Sequence, residues 1–484
     1  MKKIVLLISF LALTVSCTDD ITGLNTDTKN PTSAKPEFLF TNAQKTLVDQ
    51  MVNASVNRNV FRMLVQHWAE TTYPDESQYN LTTRPIPDSH FNILYRDVLR
   101  DFKESNVLLN KVVTAGASEA AIVANKRAII EIMNAYTFSV LVDSFGNVPY
   151  SEALDIEGHP LPKYDDAQTI YKDLIARLAA AQAALNTSEA SFGSADLIYN
   201  GNAAKWKKFA NTLRLRLAIN MSDVDAAYAS AQATAAINAG IMASSSDDAN
   251  LNYLGAQPNA NPLYADIVAS GRKDFVIADT FANKLNALND PRRAKYFTFA
   301  PGTTVYKGGI YGSSNSYTNF STINNTILAP SFPGTILAYS EQEFLLAEAA
   351  ARGIAAAGVA ATHYNSAVTA SMVDNWGVAT VDATAYLVAN PYNGTSTAAW
   401  KKSIGEQAWI ALYNRGFEAW DSWRRLDFPV LLAPATTYND IKSVPTRLTY
   451  PAGEATVNST NVTAAAATVT GGDKLTSKIF WDKF

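Results

Sequence analysis

Between residues 404 and 429 the chain reads IGEQAWIALYNRGFEAWDSWRRLDFP, and no other stretch limits its fold as tightly. Trp409, Tyr413, Phe417, Trp420 and Trp423 recur every three or four positions, which places them along one face of a helix, or of two helices meeting near Gly416. That face must be buried, and aromatics at helical spacing are ordinarily core packing. Asp421 stands three and four residues before Arg424 and Arg425, which predicts an outward side carrying ion pairs worth a few tenths of a kcal/mol. Pro429 ends the helix.

The same spacing runs through most of the chain. Residues 38–70, 90–115, 118–143, 165–186, 203–221, 223–239, 340–353, 359–374 and 398–424 all read as helices. Start and stop signals agree. Ser340 with Glu343 predicts a capping box and Gly353 a stop, Asp165 with Gln168 opens another helix, and Gly116 before Ser118 separates two more. Short turns between successive helices make antiparallel pairs, so the expected fold is all-α, a tetratricopeptide-like superhelix of helix pairs with long irregular ligand-binding loops. Between 243 and 339 the texture changes to Gly, Asn, Ser, Pro and Tyr, with helical period only near 278–288. So long an irregular excursion on a helical frame is where binding residues concentrate. Residues 427–484 again lack long helices and are expected to wrap the surface.

With 484 residues, 48% of them hydrophobic and 17% charged, the chain can bury a large core. A net charge of −4 without dense Lys/Arg runs argues against nucleic acid as partner. KWKK at 205–208 is the nearest basic cluster, and its Trp206 and Phe209 read as the inner face of a helix. Lys2 and Lys3 precede an apolar run from Ile4 to Val15, then Ser16 and Cys17, the pattern of a secretory signal over residues 1–16 that is too short to span a bilayer. Cys17 is the one cysteine. The economical reading is diacylglycerol attachment at Cys17 after cleavage, with a leftover thiol as the alternative, and residues 17–36 as a polar tether. Residues 37–484 then form a single domain.

Catalytic constellations are missing from the sequence. No GxSxG elbow, phosphate-cradling glycine loop or catalytic cysteine is present, and no cofactor is expected. His67 and Glu70, three apart, could be half of a metal site, against which stands an ordinary surface hydrogen bond. Asp75 and Glu76 are the best lead for paired carboxylates, against two solvated turn residues. Loop aromatics beside amides and acids are more informative, because a sugar ring presents an apolar C–H face and an equator of hydroxyls. Residues 67–81 bring Trp68, Tyr73 and Tyr79 together with Asp75, Gln78 and Asn80, and 305–325 space Tyr306, Tyr311, Tyr317 and Phe320 through Gly, Ser and Asn. Trp376 is a third candidate platform. The alternatives are ordinary loop packing for 67–81, tyrosines that pack inward or touch a partner protein for 305–325, and a helix-end anchor for Trp376.

Read together, QxWIALYNRGFEAWDSWRRLDFP, DSFGNVPYSEAL at 143–154, KWKKFANTLRLRLA at 205–218, ALNDPRR at 287–293, YSEQEFLLAEAAARG at 339–353 and the terminal IFWDKF resemble the SusD/RagB family of Bacteroidetes outer-membrane lipoproteins. The text SVPTRLTYP departs mildly, with Val444 where Ile is expected. The resemblance covers nearly the whole chain. It implies a lipoprotein anchored on the outer membrane facing the cell exterior, for which Thr18, Asp19 and Asp20 resemble the export signal. It further implies capture of an oligo- or polysaccharide for a SusC-like TonB-dependent transporter, without bond cleavage. Peptide capture by the same fold and a surface glycosidase are the rival functions.

Overall fold

The computed structural model describes residues 34–484. The expected signal 1–16, Cys17 and most of the tether 17–36 lie outside the described residues. Twelve helices carry the architecture: α1 Pro36–Val52, α2 86–110, α3 Ala117–Phe145, α4 Ala167–Ala184, α5 Ala203–Asn220, α6 Ala226–Ala239, α7 Asp279–Ala287, α8 Tyr339–Ala351, α9 360–375, α10 Thr380–Ala389, α11 Thr397–Ala411 and α12 Gly416–Leu426. They pack as successive pairs, α1 on α2, α3 on α4, α5 on α6, α8 on α9 and α11 on α12, so the helix-pair reading holds. Both α2 and α9 widen into a π-helical stretch, at Ile93–Leu99 and Ala370–Asn375. Three two-stranded antiparallel ribbons are added: β1 Trp68–Glu70 with β5 Phe275–Ile277, β2 Val148–Pro149 with β3 Tyr164–Asp165, and β4 Ala249–Leu251 with β6 Gly334–Leu337.

The apolar pattern over 38–70 does not become one helix. Side chains close the carbonyl end of α1: Asn53 donates to Asp49 O and Gln50 O, Asn59 to Gln50 O and Met51 O, and Arg62 to Val52 O and Asn53 O. Asn and Arg at these positions offer the last carbonyls partners that a further helical turn would otherwise provide. Helix starts also move by a residue or two from expectation. Asp166, not Asp165, caps α4 by accepting from Thr169 N at 2.8 Å. The capping box at Ser340 does not form, because Ser340 lies inside α8 and its hydroxyl bonds Asn375 Oδ1 at 2.8 Å.

The stretch 404–429 is two helices that fold back through Leu412–Arg415, and its polar side is not outward. Asp421, Arg424 and Arg425 are 4, 3 and 6% exposed. Arg425 bonds Glu348 of α8 at 2.9 Å and Asn220 of α5 at 2.6 Å, while Arg424 lies 3.5 Å over the Trp420 ring and bonds Asp143 O at 2.6 Å. Helices α3, α5 and α8 converge on α12 here, so the ion pairs predicted for a solvated face sit in the interior. Gly416 is the contact point: a Cβ there would lie 2.5 Å from the backbone nitrogen of Arg62.

The excursion 243–339 is less loop-like than its composition suggests. It supplies β4, β5, β6 and α7, and it buries Tyr253, Leu263, Phe281, Tyr296 and Ile327 in the main core. The tail after 427 also does more than cover the surface. Trp481 is 1% exposed with its indole N–H on Asp143 Oδ1 at 2.8 Å, and Arg447 inserts to reach Phe145 O at 2.8 Å.

Candidate functional site

The ribbon β1–β5 decides where the two aromatic loops go. Trp68 pairs with Ile277 and Glu70 with Phe275, so the chain leaving β1 runs beside residues 272–274. Thr71 N bonds Asp274 O at 2.9 Å and Thr71 Oγ1 bonds Lys273 O at 2.7 Å. The later loop is stitched to the same edge. Asn315 N donates to Thr71 O at 2.7 Å, Asn315 Nδ2 to Glu70 O at 2.9 Å, Ser314 Oγ to Thr72 O at 3.2 Å and Gln78 Nε2 to Gly312 O at 2.8 Å. Two segments more than 200 residues apart thereby form one surface.

On that surface Tyr73 is 64% exposed. Tyr317 is half-buried with the Lys273 ammonium 5.6 Å from its ring centre, and Phe320 has Lys307 at 4.9 Å. Arg272 and Asp274 pair at 2.5 Å beside Thr72 and Tyr73, around a small cleft that Glu70, Glu76 and Arg84 floor. Flat rings edged by charged and hydroxyl groups are what a sugar or another polyhydroxylated ligand needs. Tyr306 is half-buried against Phe299, with ring centres 4.6 Å apart, and Arg293 at 5.7 Å.

Several predicted site residues point the other way. Trp68, Tyr79 and Tyr311 are 2, 0 and 7% exposed, so they offer no face to a ligand. Trp68 bonds the Tyr413 hydroxyl at 3.2 Å under the Arg62 guanidinium, and the Tyr311 hydroxyl bonds Met63 O at 2.8 Å. The aromatics in 67–81 alternate between core and surface because β1 is buried throughout and Tyr79 turns inward at a φ of +67°. Asn80 closes its own turn through Thr83, at 2.8 Å, and Gln78 is spent on Gly312. Trp376 lies elsewhere, half-buried beside Tyr296.

The acid groups form no open pair. Glu76 is fully buried and paired with Arg84, whereas Asp75 is half-buried near Asn80, so neither two solvated turn residues nor two facing carboxylates describes them. Burial, and then Glu76 beside it, pushes the Glu70 carboxyl well above the usual carboxylate range, although Ser77 N and Oγ donate to it. A protonated Glu70 supplies the donor that Glu76 Oε2 otherwise lacks. His67 and Glu70 do not share a helical face, since β1 intervenes. His67 is fully buried on Trp409 O at 3.0 Å, and burial holds its pKa down at about 3. Among the described residues no cluster of His, Cys, Asp and Glu could hold a metal. Sequence reading missed Arg272, Lys273 and Asp274. Their signal was a run of three charged residues, and only strand pairing places Arg272 and Asp274 beside Tyr73.

A family model described as SusD-like_2, starch-binding associating with outer membrane, matches residues 28–451. Among solved structures, a chitin-binding protein superposes with a TM-score of 0.79 at 29% identity, over 93% of this chain and 100% of its own. A SusD homolog from Bacteroides uniformis gives 0.80 at 25% identity, over 92% and 100% of the two chains. A chitin-binding SusD homolog from Flavobacterium johnsoniae shares the fold, with 0.77 at 24% identity over 92% and 98%. No curated protein sequence matches the chain.

Proposed function

Because the chain belongs to the SusD-like family, whose model spans residues 28–451 of it, we propose that it is a cell-surface lipoprotein that captures oligo- or polysaccharide and passes it to a SusC-like TonB-dependent transporter. The reading rests on one observation above all: the loops at 67–81 and 305–325 are hydrogen-bonded into a single face on which Tyr73 stands 64% exposed beside Arg272 and Asp274, with the Lys273 ammonium over the Tyr317 ring. Rings stack on the C–H faces of sugars, while the Arg272, Lys273, Asp274, Thr72 and Ser314 side chains meet their hydroxyls. Binding without cleavage is the mechanism. A glycosidase needs two carboxyl groups about 5–9.5 Å apart with substrate between them, and Glu76 is instead turned inward onto Arg84. The anchor in this account is lipid at Cys17, which loss of palmitate labelling in Cys17→Ala would test.

Two of the similar structures are named as chitin-binding and the family description names starch, so those glycans come first. The test is retardation of the protein in native gels containing glycol chitin, amylopectin or other polysaccharides, with reducing ends assayed in parallel. Retardation by one polysaccharide with no release of sugar is the expected result. Retardation by none, with calorimetric binding of peptides instead, would replace this reading by peptide capture.

A further inference from the structure

A well-walled cavity away from the loop face lies between the β4–β6 ribbon, the start of α8, the end of α9 and the turn after α11. It encloses about 260 Å³, just below the ~300–1,000 Å³ of most small-molecule pockets, which suits one ring-sized group and not a chain. Its walls have the chemistry of a sugar subsite. Trp376 and Phe332 lie with ring centres 6.3 Å apart at 29°, and the edge carries Asn250, Thr335, Asp374 and Asn375.

Its geometry is fixed before any ligand arrives. Asn375 is clasped from both sides, donating to Asp248 Oδ2 at 3.0 Å and accepting from Ser340 Oγ at 2.8 Å, while Ser245 holds Asp374 at 2.7 Å. The π-helical turn Ala370–Asn375 ends at Trp376, and such turns recur at functional sites because they re-aim side chains. Of the eight tryptophans, Trp68, Trp206, Trp409, Trp420, Trp423 and Trp481 bond their indole N–H within the protein. Among the described residues Trp376 and Trp400 do not, and Arg415, which lines the same cavity as Trp376, buries its Nε without a partner. An aromatic face with unspent donors beside it is an incomplete polar site.

We propose that this cavity is a second subsite that takes the terminal sugar ring of a glycan whose body lies on the loop face. The proposal rests on the glycan reading above. The two sites border one short segment: Val52 lines the cavity and Val56 lines the cleft beside Tyr73. Four residues of chain reach at most ~14 Å, which a short oligosaccharide spans. The protein would then prefer chain ends over internal stretches of a polymer.

The mature protein, labelled with 5-fluorotryptophan and followed by fluorine NMR, tests this, with the Trp376 resonance identified through Trp376→Phe. Chitotetraose and maltotetraose are the probes, each beside its monosaccharide. The tetrasaccharide that binds shifts the Trp376 resonance, and Asn250→Ala, which leaves the aromatic packing in place, weakens its binding about tenfold. Binding with an unmoved Trp376 resonance and an unchanged Asn250→Ala affinity overturns the subsite and leaves glycan capture intact. Binding of neither tetrasaccharide nor of any polysaccharide removes the glycan reading and the subsite together.

Discussion

Arg425→Met isolates the interior ion network around α12. The Arg425 and Glu348 side chains are 5 and 0% exposed and bond at 2.9 Å, with Asp421 3.5 Å away on the other side. Removing one member of a buried pair costs about 3–5 kcal/mol, because the remaining charge stays in the interior unmatched. Here Glu348 keeps Arg352 at 2.9 Å and Asp421 keeps Arg424 at 3.4 Å, which argues for the lower end, about 3 kcal/mol. At about 2.1 cal/mol/K per residue, unfolding 484 residues carries an entropy near 1 kcal/mol/K, so Tm should fall by about 3 °C. Urea unfolding followed by tryptophan fluorescence reads the free energy directly. Arg425→Met with Glu348→Gln should recover about half of the loss, since the orphaned charge is gone while Arg352 retains Asp223 at 2.7 Å. A single-variant loss below about 1 kcal/mol, the size of an exposed pair, would refute the argument that this network is buried and coupled.

Trp68→Ala should lower stability by about 3–5 kcal/mol without selectively altering ligand contact, as expected for a core indole. Thermal melts and gel retardation together check it. Burial holds His67 and His90 both at a pKa of about 3, so between pH ~6.5 and ~3 the unfolded chain binds more protons than the folded one. The contribution of each imidazole is complete above pH ~6.5 and is lost as pH falls, by up to about 1.4 kcal/mol per unit, and His90→Asn should flatten the pH dependence of Tm over that window. Gly416→Ala places a methyl 2.5 Å from the Arg62 backbone and should cost about 1–3 kcal/mol in urea unfolding, because backbone cannot step aside.

The helix pairs were legible because burial imposes a three-to-four spacing that survives any detail of packing, and α3, α5 and α8 fall within a few residues of their expected bounds. What that spacing cannot reveal is whether the opposite face is wet. Asp421, Arg424 and Arg425 look like a solvated stripe until α5 and α8 are found against them. The burial of individual loop residues was hidden for a related reason. Loop composition flagged Tyr73 and Tyr317 along with Trp68, Tyr79 and Tyr311, but the burial of β1 throughout and the inward turn at Tyr79 separate surface from core. Lys273 joins the face only through the β1–β5 register, a contact across about 200 residues that no local pattern encodes. Glu76 was visible as an acid, whereas its partner Arg84, eight residues on, turns it from a candidate catalyst into a buried strut.

Glycan binding by the joined loops is the proposal on which the others rest. The most direct measurement is isothermal titration of the polysaccharide that retards the protein into the wild type and into the Tyr73→Ala/Tyr317→Ala variant. The side chains of Tyr73 and Tyr317 are exposed and half-buried, so the variant should keep its Tm. At least a tenfold loss of affinity with the fold intact is the expected result. Unchanged affinity in a folded double variant would contradict it and move the binding site off this face.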